Sequence, residues 1–183
     1  MLSDWLSLTQ GIGYLAFVLG VASFLQTDDR RFKLFMAGEC MAYVAHFALL
    51  GQNTAVASSL LSLFRSVMAL RTRSGWVAGG VIAANLALGV WLARSPTDWL
   101  PLLASCLGTY ALFRLDGVRM RGLMLVGTSL WIFNNILVGS IGGTLLEIVV
   151  AAVNLRTIVI LRRAQAAPSG GSTRVPPAGA GHE

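Results

Sequence analysis

The stretch GYLAFVLGVASFLQTDDRRFKLFMAGECMAYVAHFALLG, residues 13–51, decides the fold when laid over PLLASCLGTYALFRLDGVRMRGLMLVGTSLWIFNNILVG, residues 101–139. The two match without a gap at a shift of 88 positions, and self-similarity at a fixed offset marks an internal repeat. Leu15/Leu103, Ala16/Ala104, Leu19/Leu107 and Leu49/Leu137 are identities that apolar composition alone supplies. Gly20/Gly108, Asp28/Asp116, Arg31/Arg119, Met36/Met124 and Gly51/Gly139 are much harder to obtain by chance. Beyond residue 139 the register has two readings. Ser59 meets Glu147 at the same shift of 88, whereas Arg65 and Arg156, each six residues before a basic end (Arg71, Arg162), meet at 91. The second reading places three extra residues in the second copy after Gly139.

What surrounds these copies is lipid. Hydrophobic residues make up 55% of the chain, charged residues 12%, and the mean hydropathy is +0.69. Soluble domains carry about a quarter charged residues. Apolar runs this long are too many for one aqueous core of 183 residues, and in lipid only helices or closed barrels satisfy their own backbone. Spans of roughly 20 apolar residues are read near 7–26, 34–51, 54–71, 75–93, 98–114, 122–139 and 142–161. The joints are short: TDDRRFK, GQN, RTRS, ARSPTD, RLDGVRMR and GSIGG. Trp5, Trp76, Trp91 and Trp99 fall near span ends, where indole rings favour the interface.

Charge placement tests the seven spans. Arg30, Arg31, Lys33, Arg71, Arg73, Arg114, Arg119, Arg121, Arg162, Arg163 and Arg174 fall on one side and only Arg94 on the other. Arg65 and Arg156 lie within spans. Basic loops stay cytoplasmic, so the N-terminus is expected outside and the C-terminus in the cytoplasm. The net charge of +6 is thereby used as a topology signal, and no nucleic-acid partner is expected. The start, MLSDWLSLTQG, lacks a basic n-region and carries Asp4, so a cleavable signal peptide is not expected. Cys40 and Cys106 both sit in apolar spans, which argues against a disulfide framework or a metal pattern.

The expected organisation is all-α and polytopic. A first three-helix repeat spans 1–74, a linker helix 75–97, a second three-helix repeat 98–163, and a disordered, Pro/Gly/Ser-rich cytoplasmic tail 164–183. Three helices per copy is an odd number, so direct succession would invert the second copy. The linker helix restores its direction and gives parallel repeats.

Two resemblances follow from these residues. DDRRFK, HFALLG, TRSGW, the MRGLM segment and GSIGGTLLE resemble the YgjV-type bacterial inner-membrane proteins over most of residues 5–160. That resemblance implies a bacterial inner-membrane location and no established activity. More distantly, the 3+1+3 plan and GYLAFVLGVASFLQ resemble the PQ-loop superfamily with its SWEET and SemiSWEET sugar transporters, where a Pro-Gln pair acts as a hinge. Here Leu25-Gln26 and Phe113-Arg114 stand at those positions, and the proline is missing from both.

Ionisable and polar residues inside spans are functional candidates by default. Glu39, Tyr43 and His46 share one stripe of the second helix, and the shift of 88 pairs Tyr43 with Trp131 and His46 with Asn134, beside Asn135. An aromatic wall with a few hydrogen-bonding groups suits a small polar ligand; equally, His46 and Asn134 can simply bond neighbouring helices. Ser59, Glu147 and Asn154 complete the expected substrate-binding set. Glu147 is read either as a proton-coupling carboxylate or as a brace at its helix start. Glu39 with Arg65 or Arg156 is read as a structural ion pair, with snorkelling of the arginines as the simpler alternative. Gly75/Gly79 and Gly139/Gly143 have GxxxG spacing, which also permits a homodimer.

The expected function is a small-solute transporter, for a sugar or another small polar metabolite, with no cofactor. The alternative is a non-transporting receptor or assembly factor on the same bundle. Enzyme chemistry is not expected: HExxH, GxSxG and aspartate clusters are all missing.

Overall fold

Glycines, aspartates and basic clusters decide where each helix begins and ends. The computed structural model describes residues 8–51, 53–92, 96–137, 139 and 141–166. Trp5, Arg94, Arg174 and the tail beyond 166 lie outside them. Seven α-helices and no strand occur among the described residues: α1 (Leu8–Leu25), α2 (Asp29–Leu49), α3 (Asn53–Arg71), α4 (Gly75–Leu92), α5 (Trp99–Arg114), α6 (Gly117–Leu137) and α7 (Ile141–Ala166), with one 3-10 turn over Pro96–Asp98. Asp28 caps α2 by accepting from the Arg31 amide at 2.7 Å, the usual N-terminal device. Gly51 and Gly139 follow α2 and α6 with φ of +70° and +72°, a left-handed conformation that glycine adopts without a Cβ penalty.

The starts of α2 and α6, and those of α3 and α7, differ by 88 residues, as do the two left-handed glycines. The register therefore runs through the third helices unchanged, and the three-residue insertion is corrected. Matching by charge was misleading because three residues turn a helix by about 300°. Arg65 faces inward, whereas Arg156 is exposed.

Two helices, over Leu8–Leu25 and Thr144–Ala166, are long and apolar enough by themselves to cross a membrane. The others fall short for legible reasons. Four of the first five residues of α2, DRRFK, are charged, α3 carries four serines and Arg65, and α5 has 16 residues. The surface is nevertheless oily. Tyr14, Leu15, Phe17 and Val18 on α1, and Phe133 and Ile136 on α6, are exposed, and Trp76 and Trp91 are 93% and 81% exposed. Continuous apolar surface of this kind calls for a non-aqueous surround.

Within each triplet the middle helix lies between the other two: α1 packs on α2 and α2 on α3, as α5 packs on α6 and α6 on α7. The triplets meet through α1 against α7 and, more loosely, through α5 against α3. Each first helix thus faces the other triplet's third helix. α4 leans on α5 and only lightly on α3.

Tight packing is concentrated at the end that carries the basic residues, with Asn134 of α6 and Gly89 of α4 buried beyond it. Among the described residues, none is buried before Ala16 on α1, before Ser66 on α3, before Ala104 on α5 or before Val150 on α7, and none after Ala42 on α2. Phe24, Phe32, Leu112, Phe113, Met120 and Met124 form the core of that end. Cross-triplet bonds lock it. Arg121 lies 3.7 Å over the Phe32 ring and donates from Nη2 to the Gln26 carbonyl at 2.8 Å. Thr157 Oγ1 donates to the Phe24 carbonyl at 2.7 Å, and the Gly117 amide donates to Asp29 Oδ2 at 2.7 Å. Arg73 pairs with Asp116 at the rim, and within the second triplet Asn154 Nδ2 of α7 donates to the Arg121 carbonyl of α6 at 3.0 Å.

Arg121 is fully buried, yet its Nε and Nη1 find no partner. Its net contribution is thus the charged hydrogen bond and the ring contact, less the two unanswered nitrogens. Arg121→Met should destabilise the detergent-solubilised chain by on the order of 2 kcal/mol, read as a lower thermal unfolding midpoint. Arg121→Lys should recover less than half of the loss, since an ammonium cannot lie flat on the ring.

Candidate functional site

Above the packed end the helices part around a cavity of about 250 Å³. That is roughly eight water volumes, room for a small solute. All helices except α4 line it. The lining includes equivalent positions of the two copies: Gly20 with Gly108, Met36 with Met124, Glu39 with Gly127, and Tyr43 with Trp131. Arg65 of α3 and Glu147 of α7 add two further charges.

Glycines make the space. A Cβ at Gly20 would lie 2.8 Å from Glu39 Oε1, so the carboxylate rests against bare backbone of α1. A Cβ at Gly108, the equivalent position of α5, would stand 3.9 Å from Arg65 Nη1 and 3.8 Å from Met124 Sδ. Gly127 lies close to α5, since a Cβ there would come within 3.4 Å of the Ala104 carbonyl. At the position equivalent to Glu39, the second copy therefore contributes no side chain.

The charged groups are poorly answered by the protein. Arg65 Nη1 reaches Ser105 Oγ at 3.4 Å, a long bond, and its buried Nε has no partner. Neither Glu39 nor Glu147 makes a hydrogen bond or ion pair with a described residue. The expected ion pair is therefore corrected: Glu39 and Arg65 line one cavity without direct contact, and Arg156 points away from it. Tyr43 is set by stacking on Phe47 at 5.6 Å between ring centroids.

Tyr43, Trp131 and Glu147 from the expected binding set line this cavity; His46, Ser59, Asn134, Asn135 and Asn154 do not. His46 Nδ1 lies 2.7 Å from the Thr9 carbonyl, and its ring fills the notch left by Gly13. It braces α2 to α1, the simpler of its two readings. Asn134 is buried outside the cavity, and Asn154 belongs to the packed end. The expected binding set lacks Ser62, Ser105 and Gly127, which line the cavity; Ser62 is legible as an intramembrane polar group, Ser105 and Gly127 are not singled out. The repeat alignment carried a signal for two of them, since small Ser105 and Gly127 stand where the first copy has Phe17 and Glu39.

A second cavity of about 400 Å³ lies between α3, α4 and α5, beside Ser58, Leu61, Asn85, Leu88 and Leu102. It shares Ser62, Ser105 and Trp131 with the first. Asn85, the polar residue of α4 in this wall, holds the Leu102 carbonyl at 3.5 Å. No cluster of three or more His, Cys, Asp or Glu able to hold a metal occurs among the described residues.

A family model described as bacterial inner membrane protein, Imp-YgjV, matches residues 7–165. The inner membrane protein YgjV of Escherichia coli strain K12 is 37% identical over 147 residues, which is 80% of this chain and 79% of that protein. No solved structure matches.

The two equivalent glycines predict unequal tolerance. Gly108→Ala should leave the unfolding midpoint in detergent near wild type. Gly20→Ala should lower it, because the new methyl displaces the Glu39 carboxylate; shortening that side chain in Gly20→Ala/Glu39→Asp should restore part of the loss. Equal midpoints for the two single variants would contradict the close approach at Gly20.

Proposed function

We propose that this chain, which belongs to the Imp-YgjV family of bacterial inner membrane proteins, is a small-solute transporter whose substrate sits in the central cavity between two parallel three-helix repeats. One observation carries the reading: equivalent positions of both copies converge on one small cavity, and the tight packing lies on one side of it. Transporters built from repeats place their sites near the bilayer midplane at the repeat interface. Seven spans, with α4 as the linker that restores the direction of the second copy, fit the pairing of each first helix with the opposite third helix.

In this topology the basic end is cytoplasmic, and the Phe24, Phe32, Leu112 and Met120 layer is a closed inner gate. Opening it breaks the bonds that cross between copies: Arg121 to Gln26, Thr157 to Phe24 and Gly117 to Asp29. With Leu25-Gln26 and Phe113-Arg114 in place of Pro-Gln pairs, movement comes from parting the triplets and not from a hinge inside α1 or α5. That same lack of a proline hinge, with so firmly bonded a gate, favours the second reading: a receptor or assembly factor that binds a small ligand without passing it. A homodimer through the bare Gly79/Gly80 face of α4 is compatible with both.

Topology is checked by alkaline phosphatase fusions, expected active after Arg94 and inactive after Ala166. Purified chain in proteoliposomes, offered each small metabolite that raises its unfolding midpoint, should show flux. Tyr43→Ala and Trp131→Ala should each reduce that flux roughly tenfold or more while the proteins still insert. Stabilisation by a metabolite with no flux would select the receptor reading.

A further inference from the structure

The cavity walls are related by the repeat, but their charges are not. At the shift of 88, Glu39 corresponds to Gly127, Arg65 to Val153, and Glu147 to Ser59. Every charge thus has an uncharged equivalent, and the three together break the symmetry of the site. A ligand that fits such a site has two unlike ends.

Geometry assigns the poles. The Glu39 carboxylate rests on Gly20 of α1, and the nearest cavity-side neighbour of Gly108 on α5, after Met124, is the Arg65 guanidinium. Gly20 and Gly108 are equivalent positions in the two copies, so carboxylate and guanidinium stand at one depth against opposite first helices. Glu147 projects from α7, the helix that packs on α1, and so joins Glu39 on the acidic side. Arg65 belongs to α3, which faces α5. The α1/α7 wall is therefore negative and the α3/α5 wall positive. No ion pair closes the gap, Arg65 Nε is buried without a partner, and in a low-dielectric surround such charges need an answering group.

We propose that the central cavity recognises a small zwitterion of the amino-acid type, its ammonium on Glu39 and Glu147 and its carboxylate on Arg65, with Tyr43 and Trp131 flanking the chain between them. The assignment rests on the cavity being the ligand site. Aromatic faces favour an ammonium, and a guanidinium is the side chain best matched to a carboxylate. A sugar answers none of the three charges. The volume, about 250 Å³, is below the usual range for drug-sized ligands and suits one amino acid without a second residue.

The test uses the full chain in detergent and matched probes. L-Alanine, L-valine and L-phenylalanine are each compared with the amine lacking the carboxylate (ethylamine, isobutylamine, phenethylamine) and the acid lacking the amine (propionate, isovalerate, 3-phenylpropionate), with D-glucose as the neutral control. At least one amino acid should raise the unfolding midpoint at concentrations roughly tenfold or more below those needed for either of its halves. Arg65→Gln should erase the advantage of the amino acid over its amine, and Glu39→Gln its advantage over its acid. Because Arg65→Gln can also loosen the fold, Ser105→Ala gives a milder version that keeps the charge and removes its one hydrogen bond. It should weaken amino-acid and acid binding while leaving amine binding unchanged. No amino acid outperforming its halves, or glucose stabilising in their place, overturns the zwitterion. Flux of glucose in proteoliposomes would then leave the transport reading standing. Conversely, amino-acid stabilisation without amino-acid flux upholds the zwitterion and removes transport.

Discussion

Arg121 is the side chain on which the arrangement turns. It is fully buried, stacks on Phe32 of α2, binds the last carbonyl region of α1, and receives Asn154 of α7 at its own carbonyl. One residue of α6 therefore ties together helices of both triplets. In water such bonds compete with solvent, but inside a bilayer the freed carbonyls at the end of α1 have few other partners. Gln26 and Phe24 present two of those carbonyls, and the opposite triplet answers both. Where these ties hold, the helices come together and apolar side chains close ranks; a short distance above, they diverge and a cavity opens.

The repeat was legible because it is written in residues with strict local demands. Gly51 and Gly139 end their helices in a left-handed turn, and Asp28 caps one, so a fixed spacing of such residues fixes helix lengths. The direction of each inward face was less legible. Arg65 and Arg156 look alike in sequence, yet a difference of three residues in register sends one into the cavity and the other outward. His46 and Asn134 sit at equivalent positions and looked like a ligand pair. What settles His46 is Gly13, a missing side chain on another helix that admits the ring and offers the Thr9 carbonyl. A single sequence does not display such a notch until the helices are placed side by side.

The cavity also shows how two self-similar stretches of sequence share a frame and differ in what it carries. Backbone positions stayed paired, as the glycines at 20 and 108 and the methionines at 36 and 124 show. Chemistry did not: one copy supplies a glutamate where the other has glycine, and a tyrosine where the other has tryptophan. The shared frame thus carries different side chains in the two stretches, and the cavity between them is chemically unsymmetric. The polar groups were legible as unusual residues, but their roles were not, since a carboxylate and a guanidinium in one membrane chain suggest a pair, whereas Glu39 and Arg65 line one cavity without an ion pair between them.

Trp131 and the hydroxyls of Ser62 and Ser105 form the common wall between the central cavity and the larger space beside α4. Displacements of whole packed helices belong to the microsecond-to-millisecond range, whereas an exposed ring such as Trp131, 37% exposed, reorients far faster. The two boundaries of the site thus run on separate clocks. The wall shared by the two cavities therefore changes shape with one indole, whereas the packed end changes only when whole helices move.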